Sequence, residues 1–509
     1  MKYLALLIVI LSSILSASSQ TIKEYDIELH DEFKTKIGRL DQYVASNEAG
    51  HFFIYSKGFG SNVSTSLVRF NNNLIPTNEE IILNEDEEES LGIIEIDNSY
   101  LSITAKDSKL SRNFFVKSID LEKLKVEFEK EIISLSADDL NINKSYVRFI
   151  IAEDKKSIGL LYSIPSKSKE NIKYGLITFD NKFNKLHEFF YEFPKTKGSF
   201  AILDATLLNE NEVIVLTLQE KSENQGKKSP KFSHSIMSLK KGNIQVLENI
   251  EKENKWINGL ELIIKDSLIN VLGFYSNIDD QSAHGTFFFQ IDRLDSLRNF
   301  YKLEPFQQNL LDEHKAIINE KQEVLEKITG QNELSNYRPK SILTYKDGSI
   351  LLIAEQLEIT PTLYSTIFSY HNLILIYFDN LGDIAWSKMI KKDNSIVDQY
   401  DYSSFLVAND YEDYFLIYNG TSKNLNLGDP RRYDAFADKY AKKKDGSIII
   451  VEIQKNGILN QKVLVDRTQT NGFRIKPRFC VNIREGEFLL FSGKPSRVKD
   501  QRFITLKIR

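Results

Sequence analysis

Residues 473–509 read FRIKPRFCVNIREGEFLLFSGKPSRVKDQRFITLKIR. Three strands can be read in them, RFCVNI, EFLLFSG and RFITLKI, each with alternating apolar residues. The units that precede this one carry four strands, so the last unit is one strand short. At the other end, Thr21 to Leu29 reads TIKEYDIEL, with apolar residues at 22, 25, 27 and 29 and no partner nearby in sequence. A ring of blades closes when a strand from one end completes the blade at the other, which removes exposed edges. The two loose ends therefore predict an all-β fold, a single β-propeller in which Thr21 to Leu29 completes the blade that ends at Arg509.

The same four-strand pattern recurs along the chain. Residues 38–83 hold a lead strand, then HFFIYSKG, STSLVRFNNN and NEEIIL. The next unit holds LGIIEID, YLSITAK, NFFVKSIDL and KVEFEKEIISL. Third strands end on Asp or Asn turns: Phe70-Asn71, Phe179-Asp180, Phe378-Asp379 and Gln454-Lys455-Asn456-Gly457. Such residues accept the backbone angles and local hydrogen bonds of tight turns. Units begin near residues 38, 91, 144, 198, 256, 336, 401 and 473, which predicts about eight four-stranded blades. Seven blades are the alternative count, and two consecutive β-sandwiches the alternative fold. One segment breaks the pattern. Residues 309–334 place apolar residues at 310, 311, 317, 318, 324, 325 and 328, an amphipathic helix inserted between units. Its stripe is expected to pack on the outside of the ring; a dimerising helix is the other reading.

The first residues carry the pattern of an export signal. Met1-Lys2 is followed by an apolar run to Leu15 and by the small residues Ala17-Ser18-Ser19. Residues 1–19 are expected to be a signal peptide, leaving 20–509 as the propeller. The apolar run is shorter than the ~20 residues a spanning helix needs, so the chain is not expected to span a membrane. Cys480 is the single cysteine, so no internal disulfide holds the fold. An exported chain of this size without disulfides points to a bacterium, in periplasm or at the cell surface. The formal charge of −5 gives no general attraction to nucleic acid.

From 336 to 424 the chain holds NYRPKSILTYKDGSILLIAEQ, YHNLILIYFDNLGDIAWSKMIKK and YSSFLVANDYEDYFLIYNGTSKN. With Glu355-Gln356 ending one strand, Gly382 to Lys388 through Trp386, and Tyr418-Asn419 with Asn424, this stretch resembles uncharacterised exported Bacteroidota-type β-repeat proteins. Where that family carries Lys-x-Gln-Ser, this chain has Lys391-Lys392-Asp393-Asn394-Ser395. The resemblance implies export and β-repeats and no chemistry.

No catalytic constellation is visible. The seven histidines lack metal-binding spacing, and there is no nucleophile elbow or phosphate loop. Cys480 lies in RFCVNI and is expected to be a small buried hydrophobe. Glu85 to Glu89 reads as a solvated acidic loop, Asp379 to Asp383 as a hairpin turn, and Trp386 as core. Glu355 closes the apolar strand SILLIA, where a carboxylate either finds local partners or faces a pocket. Glu355, Gln356 and Asn419 are the candidate binding residues, with no catalytic residue, metal or cofactor assigned. The expected function is a non-enzymatic binding or scaffold propeller holding a protein or carbohydrate on one face. The alternative is a propeller hydrolase or lyase acting on a polysaccharide, which needs carboxylates converging at the central mouth.

Overall fold

The computed structural model describes residues 23–34, 38–59, 62–84, 88–96, 99–108, 110–136, 147–153, 155–164, 171–194, 199–220, 232–250, 255–276, 282–293, 300–317, 334–362, 366–392, 394–397, 400–410, 413–422, 425, 436–437, 446–495 and 497–509. Eight antiparallel sheets follow one another around a ring. Blades 1 to 7 occupy 39–82, 88–136, 147–194, 200–250, 256–305, 337–390 and 406–465. Blade 8 is built from 474–508 and, as its outermost strand, Tyr25–Leu29, paired antiparallel to Arg497–Ile508 from Tyr25↔Ile508 to Leu29↔Ile504. The predicted closure is what the chain adopts.

The packing explains why the ring holds together. Apolar side chains gather in eight clusters, one at each junction between neighbouring blades. Each sheet thus buries both faces, and its second strand carries a near-continuous apolar run, such as Ser157–Ile164 and the first five residues of Ile350–Pro361. The junction between blades 8 and 1 is aromatic: Phe53 lies 4.8 Å from both Phe70 and Phe503, and Phe33 lies 5.7 Å from Phe503. The closing strand also reaches blade 7, where Lys23 pairs with Asp410 at 2.7 Å and Asp413 at 2.8 Å, and Tyr25 meets Phe415 edge-on.

The Asp and Asn turns behave as expected. Asn71, Asp180 and Asp379 each accept two backbone N–H bonds through Oδ1. Beneath the equivalent turn of blade 7, Gly457 at φ +83 leaves room for the Trp386 ring, which a Cβ would meet at 3.0 Å. Trp386 stacks on Tyr377 and donates to Lys455 O at 2.9 Å, so it ties blade 6 to blade 7 as core.

The inserted helix spans Gln308–Ile317; residues 318–333 of the expected 309–334 range lie outside the described residues, and Leu334 belongs instead to a short strand, Leu334–Ser335, paired with Ser282–Ala283. Leu310 is fully buried against blades 5 and 6, and Glu313 accepts from Met389 N, so the helix packs on the ring through its apolar stripe. One strand boundary differs from expectation. Pro477–Phe479 forms a 3-10 turn, and the strand read as RFCVNI begins only at Val481, because Pro477 fixes the turn. Among the described residues no helix is long and apolar enough to cross a membrane.

Candidate functional site

Glu355 and Asn419 are buried against the same crossover, between blades 6 and 7, and Gln356 is buried against the segment that leads into blade 6. Glu355 ends the apolar part of its strand and is fully buried. Its carboxylate accepts from Lys392 Nζ at 2.6 Å and from Ser404 Oγ at 2.6 Å. Lys392 has no exposed side-chain surface, and its ammonium also lies 5.7 Å from the Tyr370 ring centre. The pair thus pins the crossover between blades 6 and 7 to blade 6. Gln356 stands at a bulge and donates to Ser335 O at 3.1 Å. Asn419, 1% exposed, donates to Tyr402 O at 2.9 Å and Ile475 O at 2.7 Å and accepts from Ile475 N at 3.0 Å. It joins the two crossovers that flank blade 7. Beside it, Lys476 is enclosed by Tyr402, Phe479 and Phe491, with Asp401 at 3.6 Å. Burial lowers the proton affinity of Lys476, and Asp401 restores part of it. Cys480 is buried, and burial pushes its thiol up to about 12, far from a nucleophile's range.

The open polar region lies elsewhere. A cleft of about 1470 Å³ runs between blades 1 and 2 where their first strands start. Arg39, Asp41, Glu88, Glu89, Lys106, Asp107 and Arg478 supply its charge, and Ile54, Val63 and Leu91 its apolar wall. Its acids are engaged. Glu88 holds Lys117 at 2.9 Å in a nearly buried pair, Glu89 and Asp107 both meet Arg112, and Asp41 meets Ser56 and Arg39. Lys106 makes no ion pair among the described residues. Glu85 to Glu87 lie outside the described residues.

The channel wall has a repeated irregularity. In blades 1, 2, 4, 5 and 6 the first strand slips register against the second at one shared height, opposite Ile54, Ile103, Leu216, Leu272 and Ile353. Bulges of this kind re-aim side chains at the rims of closed sheets. At that height in blades 3, 4 and 5 stand Arg148, Asp204 and Glu261, with Lys340 at the bulge of blade 6. Arg148 holds Asp204 at 2.7 Å. The Glu261 carboxyl is raised by desolvation and by Asp204, and lowered in part by Lys340 and Arg148. None of these six charged positions in cleft and channel (Arg39, Lys106, Arg148, Asp204, Glu261, Lys340) stands out in the linear sequence. Stacking the eight units on their third-strand turns would have shown charge recurring at one height.

Fold and site together define a closed eight-bladed β-propeller with a charged channel mouth. No family model matches the chain. No curated protein matches it. Among solved structures, a prolyl endopeptidase is 8% identical with a TM-score of 0.38 over 90% of this chain. The alignment takes in 54% of that protein, so this chain spans about half its length. The β-propeller domain of the Trilobed protease from Pyrococcus furiosus is 11% identical, with TM-score 0.37 over 85% of this chain and 97% of that one. The WD40 domain of SCAP from fission yeast is 8% identical, with TM-score 0.40 over 96% and 97%. None of these likenesses bears on a ligand or an activity.

Proposed function

We propose that the protein is a non-enzymatic binding propeller that holds a protein segment or carbohydrate at the channel mouth, in the cleft between blades 1 and 2. The observation that carries this reading is the cleft itself: a large opening whose described acids are already matched by bases. Acids so matched are poor proton donors and acceptors, while the cleft still offers charge of both signs to a partner. The reading includes export from a bacterium, with cleavage before Gln20 or Thr21, and kinship with the Bacteroidota-type repeat proteins. The test is affinity capture from the periplasm of the source bacterium with the wild-type chain and with R39A/K106A. A partner retained by the first and lost by the second supports the cleft; equal retention removes it.

The polysaccharide hydrolase or lyase reading draws on one observation, the two acids Asp204 and Glu261 at one height of the channel. It requires release of sugar ends from a polysaccharide that is lost in E261Q. Unchanged release would remove Glu261 from any such reaction.

A further inference from the structure

Glu261 and Lys340 are opposite charges on neighbouring first strands, and both are exposed to the channel. Those strands touch, as do their neighbours in blades 3 and 4. The approach is close enough that Gly259, at φ +60, has no room for a Cβ, which would meet Pro339 Cδ at 2.7 Å. Lys340 acts on the Glu261 carboxyl, yet the two do not form an ion pair within 4.0 Å. Glu261 has no hydrogen-bond or ion-pair partner among the described residues, and Lys340 only lies 6.0 Å over the Tyr370 ring. The neighbouring Asp204 is different, because Arg148 already occupies it.

Two opposite charges held apart on neighbouring strands match a small ligand that carries both charges. We propose that the channel wall of blades 5 and 6 binds a zwitterion of the α-amino-acid class, its ammonium against Glu261 and its carboxylate against Lys340. The ligand closes a gap that the protein leaves open, and each charged contact it makes is of the stronger, charge-assisted kind. This site does not rest on the cleft reading.

The test is calorimetric titration of the full chain with L-leucine, L-leucine amide and N-acetyl-L-leucine. L-Leucine is expected to bind saturably, and each analogue, lacking one charge, roughly tenfold or more weakly, the scale of one charge-assisted hydrogen bond. E261Q should lower affinity for L-leucine and its amide and leave the N-acetyl compound unchanged; K340M should lower affinity for L-leucine and the N-acetyl compound and leave the amide unchanged. Affinity should also fall as pH drops through the raised range of Glu261, where Asp204, Arg148 and Lys340 set the local field. R39A/K106A should bind L-leucine like the wild type. Absence of saturable binding by the wild-type chain, or equal binding of all three compounds, would overturn the proposal. So would affinity for L-leucine that neither substitution changes.

Discussion

Charge collects in two regions of this propeller, and the chain treats them differently. Around blades 6 to 8 it is sealed: Glu355 and Lys392 have no exposed side-chain surface, and Asn419 satisfies three backbone bonds. At the channel mouth, apart from the nearly buried Glu88–Lys117 pair, it is open: Arg39 is 53% exposed in its pair with Asp41, and Glu261 has no partner at all among the described residues. A buried charge stripped of its partner costs several kcal/mol, whereas exposed pairs contribute little. The first region therefore sets stability, and the second is free to meet a ligand.

The comparison breaks most visibly at Lys392. K392M leaves Glu355 buried and charged, and unfolding by urea should show a loss of about 3–5 kcal/mol. E355L/K392M should recover most of it, since an apolar pair of similar volume avoids the desolvation cost. If the single and double variants unfold alike, the pair is not what pins the crossover.

Asn419 tests the same region by geometry alone. N419A leaves two carbonyls and one N–H without their partner and should cost about 3 kcal/mol. Asn419 also heads the sequon Asn419-Gly420-Thr421, and its burial keeps it from glycosylation in the folded chain.

A third test uses acid. His234 and His314 are buried, and burial lowers each to about 4 from 6.5. Between those values the unfolded chain binds more protons than the folded one. Stability should thus be complete above pH 6.5 and fall as pH drops toward 4, by about 3 kcal/mol per histidine at 1.36 kcal/mol per unit. Stability curves of H234Q and H314Q against pH should each be flatter than that of the wild type. Matching curves would show that neither histidine governs the acid limb.

Much of the fold was legible because the physics that sets it is local. Alternation fixed the strands, and Asn71, Asp180 and Asp379 marked the third-strand turns through side-chain bonds to their own loops. Closure was legible because Tyr25, Ile27 and Leu29 had no local partner. The site was less so. Glu355 stood out as a carboxylate in an apolar strand, but its partners Lys392 and Ser404 come from a crossover whose path depends on the whole ring. Asp204, Glu261 and Lys340 meet only through the ring and its bulges, which alternation does not reveal.

The smallest expected effect is the one that separates the two regions. R39A/K106A should unfold within about 0.5 kcal/mol of the wild type, as surface substitutions do. The most direct test of the account is one set of urea unfolding curves for K392M and E261Q/K340M beside the wild type. The account predicts a large drop in midpoint for K392M and none for E261Q/K340M. An unchanged midpoint for K392M, or a comparable drop for the channel variant, would contradict it.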